Sequence, residues 1–241
     1  MPARRAAVTP TSSTRSLGGL RTGTISESQR TKGTAMRLPN VRAAIAAAPV
    51  STALIVINIM VFAAINLEDR LFDVVSLPPS WEGVAAQPWT LLTVFFSSQV
   101  VFHIALTVLV IGVFGWRVER WAGSAHVLGV YLLAGLAGSI ALVTTAQAIG
   151  FDARSLGPSA AFFGLMGALT ALPRRAWWSK LPLDKLVVVA LLFEVASPIM
   201  GIGSWVTSAA HVTGLAVGLG YGYLLRSRIP AEVPGESTLV P

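Results

Sequence analysis

Residues 48–67 read APVSTALIVINIMVFAAINL, an apolar segment of 20 residues without one charged side chain. As an α-helix rising about 1.5 Å per residue, this segment would span the roughly 30 Å hydrocarbon core of a bilayer. The rest of the composition agrees, since 54% of the 241 residues are apolar, 12% are charged and the mean hydropathy is +0.68. A soluble domain carries about 25% charged residues. The sequence therefore predicts an all-α integral membrane protein.

Further apolar segments follow along the chain, and they predict five more membrane spans. These are residues 100–116, 125–149, 157–172, 186–201 and 207–225. Residues 83–116 contain no Asp, Glu, Lys or Arg, which is too long for one span and too short for two with a connection. We therefore interpret residues 88–98 as an interfacial segment that leads into the second span. We expect residues 68–82 to be a polar loop and residues 117–124 a short charged loop.

The positions of Lys and Arg predict the orientation of the spans. With the N-terminus in the cytoplasm, the inner segments hold 16 of the 18 basic residues, and only Arg70 and Arg154 fall outside. Cytoplasmic loops carry such an excess of positive charge. The prediction is a six-transmembrane-helix bundle with a cytoplasmic N-terminus. Because the basic residues flank apolar segments, the net charge of +7 does not indicate a nucleic-acid partner.

Two polar ends flank the predicted membrane domain, which covers residues 43–226. Residues 1–42 are rich in Ser, Thr, Gly and Arg, and we expect a disordered, basic cytoplasmic tail in which Met36 is an alternative candidate start. Residues 227–241 are expected to form a short cytoplasmic C-terminal tail. Arginine outnumbers lysine 15 to 3 and alanine is abundant, which is typical of a GC-rich genome. We therefore expect a multi-pass protein of a bacterial plasma membrane.

The composition excludes several kinds of chemistry. Cysteine is absent, so disulfides, thiolate metal sites and a cysteine nucleophile are excluded. The chain has three histidines, His103, His126 and His211, and we expect neither a metal site nor a cofactor.

Residues 157–164 read GPSAAFFG and place Ser159 at the beginning of the fourth predicted span. Gly157 and Pro158 interrupt the chain, so Ser159 falls in the first helical turn. Unsatisfied N–H groups and the positive end of the helix dipole gather there, which favours stabilisation of an oxyanion. Serine is also a common packing residue in membrane helices. The residue by itself therefore leaves a nucleophile and a packing serine as open alternatives.

Residues 210–222 read AHVTGLAVGLGYG, in which His211 precedes a row of glycines at every fourth position. Gly214 and Gly218 belong to a helix face that permits close approach of another helix, so His211 points toward a partner helix. The histidine is either a packing hydrogen-bond donor or the general base for Ser159. We expect no Asp or Glu to lie where it could orient His211, so we predict a dyad rather than a triad.

Other polar residues in the spans receive separate interpretations. His103 lies in the outer half of the second span at a similar depth, and we predict it to be an oxyanion donor. Gly164 is predicted to pack against the sixth span. Glu194 is an ionisable residue within the fifth span. It is either simply protonated or facing a cavity, or it takes part in substrate gating, as we hypothesise.

These motifs together resemble the rhomboid family of intramembrane serine proteases. That family has six core helices, a GxSG motif that opens the fourth helix and a histidine in an AHxxGxxxG motif on the sixth. Ser159 matches the serine and His211 matches the histidine. Trp89 matches the Trp of a Trp-Arg pair, and residues 115–119, GWRVE, resemble a GxxVE motif. The resemblance covers roughly residues 50–226.

The sequence departs from the family pattern at three positions around the oxyanion site. His103 matches the histidine of the family's HxxxN motif, but Thr107 stands at the position of its asparagine. Thr90 replaces the Arg of the Trp-Arg pair, and Ala160 replaces the second Gly of GxSG. The resemblance implies that His103, Thr107 and the backbone N–H of Ser159 hold the oxyanion.

The resemblance implies a serine endopeptidase that cleaves transmembrane helices near the outer membrane face, in which Ser159 attacks and His211 acts as base and then as acid. The alternative is a catalytically inactive rhomboid-like protein that binds transmembrane clients, which the three departures favour. A transporter or another bundle is a third possibility, although hydropathy shows no internal two-fold repeat. The expected partners are transmembrane proteins and the lipid bilayer. The sequence specifies neither the substrate nor the oligomeric state.

Overall fold

A computed structural model describes residues 45–173 and 183–228, and the chain is helical over most of both ranges. The helices are α1 (Pro49–Leu67), α2 (Arg70–Val75), α3 (Trp81–Ala86), α4 (Thr90–Thr93), α5 (Val101–Ala122), α6 (Ser124–Ile149), α7 (Ser159–Ala171), α8 (Leu183–Ile199) and α9 (Trp205–Leu225). The predicted tail at residues 1–42 lies outside the described residues, as does nearly all of the predicted tail at residues 227–241.

Three of the described helices, α1, α5 and α6, are long and apolar enough to cross a membrane. Helix α7 is apolar but has only 13 residues, or about 20 Å, which is shorter than the hydrocarbon core. Each of the six predicted spans overlaps a helix of the structure. The all-helical architecture is therefore that of a membrane bundle, whereas six crossings and a cytoplasmic N-terminus stay predictions.

Two segments predicted to be loops are largely helical. Residues 68–82 contain α2 and the beginning of α3, and most of the charged segment 117–124 belongs to α5. Helix α5 continues through this segment because no proline interrupts it and because Glu119 is buried against hydrogen-bond donors. The helix ends at Gly123, whose φ of 99° is a backbone conformation that favours glycine.

Helix α1 begins without a capping side chain of its own, and Glu119 of α5 supplies the missing acceptors. The carboxylate of Glu119 accepts hydrogen bonds from the backbone N–H groups of Val50 (2.9 Å) and Ser51 (2.7 Å). The hydroxyl of Ser124 donates a third hydrogen bond at 2.6 Å. Because the first N–H groups of a helix have no partner within the helix, this contact satisfies α1 and joins it to α5 and α6.

A row of small residues brings α7 and α9 into backbone contact. A Cβ atom at Gly214 would overlap the carbonyl oxygen of Ala160, and one at Gly218 would overlap the carbonyl oxygen of Gly164. The four-residue spacing is the same on both helices, so the contacts stack along one face of each. This glycine seam, formed by residues 160, 164, 214 and 218, holds the beginning of α7 against the middle of α9.

Candidate active site

Ser159 is the first residue of α7, directly after the Gly157–Pro158 interruption. No described side chain caps this helix end, and the first N–H group with a partner from the preceding segment is that of Phe162, which donates to the carbonyl of Pro158 at 3.1 Å. The N–H groups at the beginning of α7 therefore remain available beside the Ser159 hydroxyl. Such groups, with the positive end of the helix dipole, can stabilise a negatively charged oxygen.

The side chains of His103 and Ser159 both lie beside the backbone of Gly157. Its φ of 153° lies in a region that other residues rarely adopt, and its N–H donates to the carbonyl of Val94 at 3.1 Å. A Cβ atom on Gly157 would lie 2.8 Å from Cε1 of His103 and 3.5 Å from Oγ of Ser159. The absence of a side chain at residue 157 thus leaves room for the His103 ring next to the serine hydroxyl.

Thr107 does not point its hydroxyl proton toward Ser159. The Thr107 hydroxyl donates to the carbonyl of His103 on its own helix at 2.9 Å, and its side chain is fully buried. A threonine within a helix commonly bonds the carbonyl four residues earlier. The geometry therefore does not support the sequence-based prediction that Thr107 donates to the oxyanion. His103 and the N–H groups of α7 are the remaining candidates among the predicted donors.

His211 contacts a carboxylate, contrary to the expectation that no Asp or Glu would reach it. Nδ1 of His211 on α9 lies 2.8 Å from Oε1 of Glu194 on α8. The ring also stacks on Phe163, with centroids 4.6 Å apart and planes inclined by 14°. Phe163 follows Ser159 by one helical turn, so His211 lies over the face of α7 that carries the serine. The other ring nitrogen, Nε2, is buried and has no hydrogen-bond partner among the described residues.

The positions of Glu194 and His211 in the sequence could have predicted their contact, but each residue was interpreted separately. Glu194 precedes the end of α8 at Ile199 by five residues, and His211 follows the beginning of α9 at Trp205 by six. Two helices joined by a short connection run back along each other, which brings residues at equal distances from the connection to the same depth. Two ionisable residues at matching depth in apolar helices predict a pair.

Arg154 ties the segment before Ser159 to the segment around α2 and α3. Its guanidinium donates to the hydroxyl and carbonyl oxygens of Ser76, to the carbonyl of Asp73 and to the side chain of Gln87, at distances of 2.6–2.7 Å. The neighbouring residue Ser155 exchanges two backbone hydrogen bonds with Leu77. The sequence identifies Arg154 only as a basic residue on the predicted outer side and does not predict these hydrogen bonds.

Thr90, one of the departures from the family pattern, has a structural contact instead of an open site. Its hydroxyl donates to the carbonyl of Gln87 at 2.6 Å, and its side chain is fully buried. Gln87 in turn accepts a hydrogen bond from Arg154. The position that lacks the family's arginine therefore belongs to a segment that the Arg154 guanidinium holds.

A cavity of about 260 Å³ lies beside Ser159, between α6, α7 and α9. Its lining includes Ser159, Gly157, Arg154 and Thr207. Small residues of α6, among them Gly138, leave space on the opposite side. Neither His103 nor His211 is among the described lining residues. The cavity therefore reaches Ser159 without being lined by either of the two histidines in the described chain.

Comparison with known proteins identifies the class to which these features belong. A family model of the rhomboid domain matches residues 85–228, which is more than half of the chain. The chain therefore belongs to the rhomboid family. Together with the three long apolar helices, this membership makes the chain a membrane-embedded, multi-pass protein.

Individual relatives are distant and longer than this chain. RHOMBOID-like protein 6, mitochondrial, of Arabidopsis thaliana is 29% identical over 60% of this chain and 47% of its own length. RHOMBOID-like protein 7 of the same plant is 30% identical over 58% of this chain and 43% of its own length. Rhomboid protease GluP of Bacillus subtilis (strain 168) is 31% identical over 54% of this chain and 24% of its own length. The chain thus matches less than half the length of each of these relatives.

Proposed function

We propose that this chain is an intramembrane serine endopeptidase that cleaves transmembrane helices near the outer membrane face. The observation that carries the proposal is the position of His211, which stacks on Phe163 one helical turn after Ser159 and whose buried Nε2 has no hydrogen-bond partner among the described residues. The match of a protease, GluP, among the relatives supports the same reaction class. A transmembrane segment of another protein, unwound at the site, is the proposed substrate.

The proposed reaction begins when Oγ of Ser159 attacks the scissile carbonyl carbon while its proton passes to Nε2 of His211. The negative charge that develops on the carbonyl oxygen is stabilised by the N–H groups at the beginning of α7 and by His103. His211 then returns the proton to the leaving amine as the peptide bond breaks. Water hydrolyses the resulting acyl-enzyme by the same steps in reverse order.

A short helix α7 gives the reaction its proposed place in the membrane. At about 20 Å, the helix is shorter than the hydrocarbon core, so its first residue would lie below the membrane surface. The 260 Å³ cavity next to Ser159 would admit water or part of a substrate side chain. Its wall includes Arg154 and Thr207, two polar residues of the kind that can hold water.

We further propose six crossings, a cytoplasmic N-terminus and a bacterial plasma membrane as the location. The basis is the distribution of 16 of 18 basic residues and the arginine-rich composition. Because the chain has no cysteine, an Asp69→Cys variant and an Arg228→Cys variant can be tested with an impermeant thiol reagent on intact cells. Labelling at residue 69 but not at residue 228 is expected, and the reverse pattern would refute the orientation.

The second candidate function is client binding without cleavage, and a specific observation favours it. The Thr107 hydroxyl is already bonded to the His103 carbonyl, so one oxyanion donor expected from the family pattern is absent. Loss of one such donor costs about 10²–10³ in kcat in a well-studied protease. If kcat is lowered to this degree, the protein would release most bound transmembrane clients before it cleaves them, and binding would be its main activity.

The experiment that tests the proposal measures labelling of the detergent-solubilised protein by a fluorophosphonate probe. Wild type is expected to label, and Ser159→Ala and His211→Ala variants are expected not to, because the probe reacts only with an activated serine. Ser97→Ala and His126→Ala are matched controls, since the Ser97 hydroxyl donates to the Thr93 carbonyl and His126 contacts Tyr221. No labelling of wild type, with a known rhomboid protease labelled in parallel, would favour client binding.

A further inference from the structure

The pair formed by Glu194 and His211 extends the proposed catalytic dyad. We infer that Glu194 is a positioning residue that holds His211 with its proton on Nδ1 and leaves Nε2 as the proton acceptor for Ser159. The inference rests on the proposed function. It adds a carboxylate from α8 to a serine on α7 and a histidine on α9.

The Glu194 carboxylate points into the bundle although its helix faces lipid on other sides. The whole residue is 5% exposed, whereas the adjacent Phe193 and Val195 are 57% and 54% exposed. Its carboxylate contacts His211 at 2.8 Å, and the Ser208 side chain also lies beside it. Ser208 precedes His211 by three residues and so lies on the same face of α9. An ionisable residue in a membrane helix is retained where it has such partners.

The hydrogen bond decides which nitrogen of His211 carries the proton. A carboxylate accepts hydrogen bonds and has no proton to donate when ionised, so the contact at Nδ1 requires the Nδ1–H form of the ring. In that form Nε2 has a free lone pair. Nε2 is buried without a described partner, so its lone pair is not engaged by another group of the described chain.

Two contacts fix the direction of the Nε2 lone pair. Stacking on Phe163 sets the plane of the ring. The hydrogen bond between Nδ1 and Glu194 sets which edge of the ring faces α8. Because Phe163 lies one turn after Ser159, the fixed ring stays on the face of α7 that carries the serine. Without Glu194, a half-turn about the Cβ–Cγ bond would keep the stacking on Phe163 and exchange the two edges of the ring.

The carboxylate also has a role while the proton moves. When the bond from Oγ of Ser159 to the substrate carbon forms, the Oγ–H bond breaks and Nε2 receives the proton. His211 then carries a positive charge next to the ionised carboxylate of Glu194, which stays unprotonated and stabilises it. The proton leaves Nε2 for the amine as the peptide bond breaks, and His211 returns to its neutral form.

The alternative is that the pair only links α8 to α9. Glu194→Gln separates the two roles, because glutamine has nearly the same shape and still reaches Nδ1. Its amide can accept from Nδ1–H or donate to a bare Nδ1, so the preference for one protonated nitrogen is lost. Glu119→Gln is the matched control, since Glu119 is also 5% exposed and its bonds go to backbone groups of α1 and to Ser124.

The test combines ¹⁵N NMR of histidine-labelled protein with the rate of fluorophosphonate labelling. Only three histidines contribute, and the His211 signals are assigned from His103→Gln and His126→Gln variants. Wild type is expected to carry its proton on Nδ1. Glu194→Gln is expected to show a rising share of the Nε2–H form and a labelling rate lowered at least about tenfold, a part of what acid–base catalysis contributes. Glu119→Gln is expected to leave the His211 signals unchanged.

Two results would overturn the inference. One is a His211 proton distribution that does not differ between wild type and Glu194→Gln. The other is an altered distribution with an unchanged labelling rate, which would leave the pair as a link between α8 and α9. Absence of labelling in wild type would refute the proposed function instead, and the NMR signals would still decide whether Glu194 fixes the protonated nitrogen.

Discussion

Glu119 and Glu194 are both buried carboxylates in apolar helices, each 5% exposed, but their partners differ. Glu119 accepts hydrogen bonds from two backbone N–H groups of α1 and from the Ser124 hydroxyl. Glu194 contacts the imidazole of His211. Backbone groups do not change their protonation, so the first carboxylate can only hold the fold. An imidazole has a second nitrogen, so the other carboxylate can act on whatever that nitrogen contacts.

The largest expected effect comes from Glu194→Leu, which removes the second carboxylate entirely. We expect cleavage of a single-span transmembrane reporter to fall about 10²–10⁴-fold, the range that general acid–base catalysis contributes. The free energy of unfolding should fall by only about 1–3 kcal/mol, because a single donor, Nδ1–H of His211, loses its acceptor. The comparison fails if the loss of activity comes only from unfolding, so that cleavage per folded molecule stays at the wild-type value. Glu194 would then resemble Glu119.

Glu119→Ala tests the other half of the comparison. The N–H groups of Val50 and Ser51 lose their acceptors, and each buried N–H left unsatisfied costs about 1–3 kcal/mol. The free energy of unfolding should fall accordingly, as measured by denaturant titration in mixed micelles. The fluorophosphonate labelling rate per folded molecule should stay at the wild-type value. A fully stable variant with a reduced labelling rate would contradict the assignment of Glu119 to the fold.

The smallest effect is expected from a variant of the glycine seam. This variant tests whether the seam or the Glu194 carboxylate determines the position of His211. Gly218→Ala puts a methyl group against the Gly164 carbonyl, and overpacking of this kind costs about 1–3 kcal/mol. Because α9 would move away from α7, labelling of Ser159 should fall together with the free energy of unfolding, while the protonated nitrogen of His211 should not change.

Gly220→Ala is the control for the seam variant on the same helix. A Cβ atom at Gly220 meets no other atom within 4 Å, so this substitution should be neutral or stabilise α9 by up to about 1 kcal/mol. If Gly218→Ala behaves in the same way as Gly220→Ala, close approach of the two helices is not what sets the distance between Ser159 and His211.

Most of the helical architecture could be predicted from local properties of the sequence. Helix α6 was expected at residues 125–149 and is found at Ser124–Ile149, because its apolar segment ends at glycine on both sides. Helices α2 and α3 were missed since charged residues and two prolines made residues 68–82 look like a loop. The end of α5 was missed for a related reason, because the partner of Glu119 lies 68 or more residues away.

Part of the candidate site could likewise be predicted from local properties of the sequence, and part depends on contacts between distant residues. Ser159, His211, His103 and Gly157 were singled out because each has a chemical type and spacing that motif analysis can read. The contacts of Thr107 and Arg154 were not predicted, since both depend on which acceptor lies nearest in the folded chain. The contact of Glu194 with His211 was not predicted for the same reason.

The sequence by itself determined that this protein belongs in a membrane, where its long apolar helices lie and which serine and histidine are the candidates for catalysis. Apolar length, glycine spacing and charge distribution are local quantities, and hydrophobic burial and helix geometry act on them directly. Only the tertiary structure decided which carboxylate serves the fold and which one serves the histidine. Two glutamates of equal burial differ in nothing but their neighbours, and neighbours from separate helices are fixed by packing rather than by sequence distance.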